Sequence, residues 1–281
     1  MKLGEYNTLT VARTVDFGAY LADESGNEVL IPQKYIPEGS ATIGRSMEVF
    51  VYNDSEGRPI ATTLHPYATV GQLAFLRVAD VNATGAFLEW GIEKHLLVPY
   101  REQKLKMVKG RVYLVYIYLD NASQRIAASA RYEKYIDNVF PSYKPFEKVS
   151  VLIASRTDIG YKAVVDNLHS GMIYNSDIYA ELYPGDSVDA YVRKIRPDGK
   201  IDLTLLPPAG ERISEIAGRI LSRLEKSEDS EAIGDFMTPE QISATFQCSK
   251  KDFKKAIGLL LKTKKVEKSG EKLRVLAENN R

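Results

Sequence analysis

The sequence predicts a mainly β chain, three small closed barrels in tandem with a compact α+β unit at the carboxyl end. A strand, glycine, strand pattern recurs three times in the first 210 residues, and each recurrence keeps nearly the same glycine spacing. From Pro207 onward the composition changes to helix formers and charge.

The recurring segments begin near residues 11, 77 and 152: VARTVDFGAYLADESGNEVLIP, RVADVNATGAFLEWGIEKHLLVP and LIASRTDIGYKAVVDNLHSGMIY. Gly18, Gly85 and Gly160 each stand between apolar runs, and a second glycine follows at Gly44, Gly110 and Gly185, after 26, 25 and 25 residues. That second glycine precedes Ile60, Ile126 and Ile201 by 16 residues in every copy. Agreement of this kind marks one unit repeated three times. Period-2 runs such as residues 111–119, RVYLVYIYL, are rich in β-branched and aromatic side chains and read as strands. SEG at 55–57, NAS at 121–123 and PDG at 197–199 read as hairpin turns. Five short strands per copy call for a closed barrel, because an open sheet would leave its edges exposed. The first glycine of each copy suits a bulge or a close backbone approach.

In the carboxyl-terminal unit, Glu211 to Leu224 repeats apolar residues at helical spacing. An acidic linker is expected over 226–235. Thr238, Pro239 and Gln241 form a capping box ahead of a short helix, and Ser249 caps a longer one that turns Phe253, Ala256, Ile257, Leu260 and Leu261 inward. Residues 265–276 read as a hairpin turning at Ser269 and Gly270, which completes a winged helix-turn-helix. The expected boundaries are 1–66, 67–143 and 144–207 for the barrels and 209–281 for the winged helix.

The 281 residues include 38 basic and 37 acidic side chains, so the chain as a whole is no polycation and attraction to nucleic acid must be local. It is local in one place. Residues 250–274 hold ten basic against three acidic residues, whereas residues 1–210 hold 23 against 25. Lys250, Lys251, Lys254, Lys255 and Lys262 on the longer helix are therefore candidate phosphate contacts. The single cysteine, Cys248, allows no intrachain disulfide, and three scattered histidines, His65, His95 and His169, form no metal site; His95 and His169 read as loop residues. Phosphate-loop, zincin and nucleophile-elbow motifs are missing from the sequence, so an enzyme is not expected, nor is a cofactor. No apolar run reaches the length of a membrane span and no leader pattern opens the chain, so a cytoplasmic protein without membrane partners is expected.

Asp16-Phe17-Gly18-Ala19-Tyr20 with Leu30-Ile31-Pro32, Gly85-Ala86-Phe87 with Leu97-Val98-Pro99, and Gly160-Tyr161 with Gly171-Met172-Ile173-Tyr174 resemble the S1 type of OB-fold. Pro32 and Pro99 stand where that family usually has histidine. Three such units followed by a winged helix resemble the CvfB-like, YitL-type bacterial proteins over nearly the whole chain. The most telling pieces are residues 85–91, GAFLEWG, the pair of Tyr118-Leu119-Asp120 with Arg125-Ile126-Ala127, and residues 249–258, SKKDFKKAIG. The resemblance implies three tandem S1-like OB barrels plus a winged helix, and a cytoplasmic, non-enzymatic RNA-binding protein linked to the regulation of gene expression. By family position it offers Phe17 and Tyr20, Phe87 with Trp90, and Tyr161 with Tyr174 as stacking rings for single-stranded RNA. Arg13, Arg77, Arg125, Arg131 and Arg156 are their basic neighbours, and Arg125 and Arg131 flank the strand where the family's nucleic-acid face runs. In the alternative expectation the barrels are structural or protein-docking modules, and only the winged helix touches nucleic acid, duplex included.

Overall fold

The structure is a computed structural model that describes residues 1–178, 181–226, 233–270 and 272–276. The expected acidic linker lies mostly outside the described residues. The first unit comprises β1 (Tyr6–Val15), β2 (Gly18–Ala22), β3 (Glu28–Pro32), β4 (Ser46–Asn53) and β5 (Pro59–Thr62). They close in the order β1-β2-β3-β5-β4, with β3 and β5 parallel where Leu30 meets Ile60. Alternation buries Leu9, Val11, Leu21, Val29, Ile31, Val49 and Val51 inside the barrel.

The second unit holds β6 (Leu73–Val81), β7 (Gly85–Leu88), β8 (Leu96–Pro99), β9 (Val112–Asp120) and β10 (Arg125–Ser129). The third holds β11 (Lys148–Thr157), β12 (Gly160–Val165), β13 (His169–Tyr174), β14 (Ser187–Ile195) and β15 (Ile201–Thr204), closed like the first. The expectation of three closed barrels fails in the middle copy. There the order is β10-β9-β6-β7-β8, and among the described residues no ladder joins β8 to β10.

Side chains span that seam instead. Glu102, buried just after β8, accepts hydrogen bonds from Ser129 Oγ and Lys134 Nζ, each at 2.6 Å, while its backbone oxygen accepts from Ala130 N–H at 2.9 Å. β8 and β10 still run side by side without pairing, and Ile126 N–H donates to Asn53 Oδ1 of the first barrel at 3.3 Å. Ile126 is the counterpart of Ile60, so a contact between copies stands where the first copy makes its closing pair.

Every first strand bends at the same place. Register shifts fall between Val11 and Arg13, Val78 and Asp80, and Ile153 and Ser155, so the bulge lies upstream of the glycine where it was expected. The residue before each bulge accepts from the second glycine of its copy, with Gly44, Gly110 and Gly185 N–H donating to Val11, Val78 and Ile153 O at 2.8 Å. It also donates to the following residue, Arg45, Arg111 or Asp186, at 2.9 Å. The first glycine serves close approach. A Cβ on Gly18, Gly85 or Gly160 would lie 2.1, 2.2 or 2.0 Å from the carbonyl oxygen of Ile31, Val98 or Ile173.

Neighbouring units share apolar cores. Phe50 and Tyr52 of the first barrel lie in one cluster with Trp90, Val115 and Ile117 of the middle unit, and Lys94 Nζ donates to Asn53 O and Asp54 O at 2.8 and 2.6 Å. Leu73 and Ile136 join Ala154 and Val164 of the third barrel, and Leu73 N–H donates to Asn167 Oδ1 at 2.9 Å.

The winged unit contains α1 (Ala209–Lys226), α2 (Pro239–Phe246), α3 (Lys250–Lys262), β16 (Val266–Ser269) and β17 (Lys272–Val275). The capping box at Thr238 and the cap at Ser249 both form, and Gln247 takes a left-handed φ of 49° in the turn between α2 and α3. Leu273 N–H donates to Ile233 O at 3.1 Å, which adds a third chain segment to the wing. Ile213, Ile216, Ile220, Phe246, Phe253 and Leu260 share its core.

Burial pushes the Glu102 carboxyl up, but the hydrogen bonds from Lys134 and Ser129 outweigh it and hold the group below its ordinary value. A depressed carboxylate stabilises the fold above its unfolded-state pKa and loses that contribution as pH falls through the folded one. Replacing Glu102 by Gln should cost about 2 kcal/mol near neutral pH, a typical value for hydrogen bonds to a buried charge. Denaturant melts over a pH series should show the gap to the unmodified chain narrowing as pH drops below the ordinary glutamate range.

Candidate nucleic-acid interface

Phe17 is 60% exposed at the tip between β1 and β2, because Gly18 turns the chain hard against β3 and leaves the preceding ring outside. Tyr20 points outward from β2 with the Arg13 guanidinium 3.6 Å from its ring centre, and Arg13 is in turn paired with Glu28 at 2.8 Å. One face of Tyr20 is therefore occupied by a cation.

In the middle unit Arg77 is exposed and donates to Gly110 O at 3.1 Å, and Phe87 is half-buried on β7. Trp90 departs from expectation. It is 2% exposed, donates from Nε1 to Lys94 O at 2.5 Å and meets Phe50 edge-on at 5.6 Å, so its ring is part of the joint between units and has no face for a base. Arg125 lies against Gly57 of the first barrel, its guanidinium 3.0 Å from where a Cβ would stand, and Arg131 Nε donates to Arg101 O at 3.1 Å. Both are exposed.

An aromatic group that the motif comparison missed lies nearby. Tyr116 and Tyr118, neighbours on one face of β9, stack on Tyr135 with ring centres at 4.4 and 5.3 Å. Lys134 Nζ is 5.0 Å from the Tyr135 ring and Lys104 Nζ 4.5 Å from that of Tyr132. Burial pushes the Tyr118 and Tyr135 hydroxyls up to about 12. The signal was the alternation of tyrosines at 116 and 118; Tyr135, after β10, joins them only through the fold.

In the third barrel Tyr161 is also a correction, being 7% exposed and packed among Val149, Ile153 and Ile173. Its strand alternation turns it inward, with Arg156 5.9 Å from its ring. Tyr174 is half-buried; its hydroxyl donates to Asp202 Oδ1 at 3.3 Å and accepts from Arg196, which pairs with the same aspartate at 2.7 Å. A groove of about 430 Å³ runs between the segment holding Tyr132 and the β12–β13 surface, with Lys162, Arg196 and Lys200 along it.

Lys250 is half-buried in the first turn of α3 and helps to lower the carboxyl of Glu240, after that group's own backbone and Thr238 hydrogen bonds. Lys251, Lys254, Lys255 and Lys262 are exposed and make no ion pair among the described residues. Asp252, the acidic residue of that helix, is drawn toward α1 by Arg212 at 3.3 Å. In the barrels Arg13, Lys34, Arg58, Lys104, Lys109 and Lys148 each have a carboxylate partner, whereas Arg77, Arg125, Arg131, Arg156 and Lys162 have none among the described residues. Among the described residues, no group of three His, Cys, Asp or Glu side chains is placed to hold a metal ion, and no helix is long and apolar enough to cross a membrane.

Residues 3–64 match the S1 domain family and residues 218–275 the CvfB-like winged helix domain. The protein YitL of Bacillus subtilis is 28% identical over 280 residues, covering 95% of this chain and 91% of its own. Conserved virulence factor B of Staphylococcus saprophyticus is 26% identical over 252 residues, covering 87% and 84%. A crystal structure of a multidomain protein with nucleic acid binding domains from Streptococcus pneumoniae aligns over 98% of both chains at 24% identity, with a TM-score of 0.40 that adds nothing to the assignment. S1-type units joined to a winged helix define a nucleic-acid-binding class of protein. Over most of its length the chain is similar to the CvfB/YitL-like S1-domain, winged-helix proteins.

The two kinds of aromatic position separate in a stability measurement. Trp90→Ala should cost about 3 to 5 kcal/mol, as expected for emptying a core site of that size. Phe17→Ala should stay within about 0.5 kcal/mol. Urea melts of both variants decide the matter, and a stable Trp90→Ala protein would contradict the packing described.

Proposed function

We propose that the protein binds single-stranded RNA in the regulation of gene expression, with the α3 lysine face supplying affinity and the barrel aromatics supplying preference among sequences. The single observation that carries this reading is the grouping on one helix of Lys251, Lys254, Lys255 and Lys262, all exposed and without an ion pair among the described residues. A cation already neutralised by a carboxylate gains little from a phosphate, whereas an unpaired exposed lysine releases counterions when it meets one. Phosphate contacts of that kind position the strand without reading its bases. Base stacking is left to exposed or half-buried rings, which in this proposal are Phe17, Tyr20, Phe87 and Tyr174. The modules of the proposal are residues 1–66, 67–143, 144–207 and 209–281.

The arrangement of α2, α3 and the wing also favours a second ligand, duplex nucleic acid, because a basic second helix is the element such folds lay in a groove. Titrating labelled single-stranded RNA and duplex DNA at several salt concentrations distinguishes the two. The full-length chain should prefer the RNA. Changing Lys251, Lys254 and Lys255 together to Gln should weaken all RNAs by a similar factor and reduce the slope of log affinity against log salt by ~2, leaving the order of preference unchanged. Unaltered affinity and slope would sink the assignment of α3.

A further inference from the structure

The connection between the middle unit and the third barrel builds a partly enclosed site. Asp137, at a φ of 60°, accepts from Ser170 N–H and Oγ at 2.7 and 2.6 Å, and its own N–H donates to Leu168 O at 2.7 Å. Six residues on, Tyr143 Oη donates to Asp166 Oδ2 at 2.8 Å. The chain is thus pinned to the β12–β13 hairpin at two points, and between them it arches over a cavity of about 290 Å³ lined by Tyr135, Asn138, Phe140, Tyr143, Leu168 and His169.

Two features of this cavity are unexplained by folding alone. His169 is 5% exposed and sits edge-on to Tyr143 at 5.7 Å, yet its Nδ1 has no hydrogen-bond partner among the described residues. A buried polar atom left unpaired is costly, so unused hydrogen-bonding capacity in such a place calls for a ligand or another reason. Phe140 at the rim is 66% exposed, and Val139 and Leu168 beside it are exposed too, an apolar mouth that water does not favour. Phe140 rests on the β14–β15 turn, its ring carbons 3.7 Å from the Cβ position of Gly199.

A flat ring with a polar edge meets all of these demands. Aromatic walls offer stacking, while Asn138, Ser142 and the His169 imidazole offer the amide, hydroxyl and ring nitrogen that read a base edge. The volume is just below the range of about 300 to 1,000 Å³ typical of sites for drug-sized ligands, which suits a single base better than a larger cofactor. On the other side of Asp137 lies the groove with Lys162, exposed and without an ion pair among the described residues, beside Arg196 and Lys200. The two carboxylates along that groove are engaged, Asp137 by Ser170 and Glu133 by Lys104. We propose that the cavity takes one nucleobase splayed out of the bound single-stranded RNA, whose phosphates follow the Lys162 groove. The proposal rests on the RNA-binding reading given above and assigns it a specific subsite.

The test uses the full-length chain, a fluorescein-labelled oligoribonucleotide and the same oligomer carrying 4-thiouridine for photocrosslinking. Phe140→Ala removes an exposed wall, and Leu168→Trp fills the mouth from an exposed position. Each should weaken RNA binding about tenfold, the lower part of the range for losing one stacked base, at an unchanged melting temperature. Crosslinks in the unmodified chain should map to residues 135–143 or 168–169 and vanish in both variants. If the unmodified chain binds RNA but both variants keep its affinity, the cavity is no base site and its apolar mouth belongs to a protein contact. A full-length chain that binds no RNA would overturn the underlying reading, and the subsite with it.

Discussion

Each S1-type unit hangs on one reciprocal pair of backbone hydrogen bonds, made where its first strand bends. A single strand must serve two neighbours, pairing with the fourth strand before the bend and the second after it. The bulge supplies the bend, and Val11, Val78 or Ile153 fastens it to the glycine that opens the fourth strand. That fastening makes the glycine spacing of the copies intelligible: a fixed length of chain must travel from the close approach at Gly18 round to Gly44. The middle unit keeps the fastening although its sheet stays open. Bending of the first strand, more than closure of the last, is what the repeats have in common.

Much of this was legible in one dimension, because it depends on local pattern. Strand alternation, turn residues and the two helix caps all act over a few positions, so the three units and the winged helix could be named from the residues that build them. The open middle sheet could not, because it depends on Asn53 of another copy and on Glu102 beyond the strand end. Trp90 failed for the same reason: its burial is decided by Phe50, some forty residues earlier in sequence and in a different unit. Tyr161 and His169 illustrate a smaller loss. Both obey the inward alternation of their strands, and His169 reads as a loop residue in the sequence because β13 begins at that position.

The charge distribution divides the molecule. Across the barrels, 23 basic and 25 acidic side chains nearly balance, which keeps the long β portion near neutrality and limits its pull on any polyanion. On α3, the one carboxylate is diverted toward Arg212 and the lysines remain. In the function proposed above, attraction and discrimination would reside on separate elements, so that changing one need not disturb the other.

The inter-unit core around Phe50 bears on the order in which the protein is made. Residues 6–62 can complete the first barrel as soon as they leave the ribosome, but Phe50 and Tyr52 find their cover only when Trp90 and Ile117 follow. At about 5 to 20 residues per second, the newborn barrel waits several seconds with an uncovered aromatic patch. For that interval the unfinished chain is adhesive, and its own next segment must reach the patch before a stranger does.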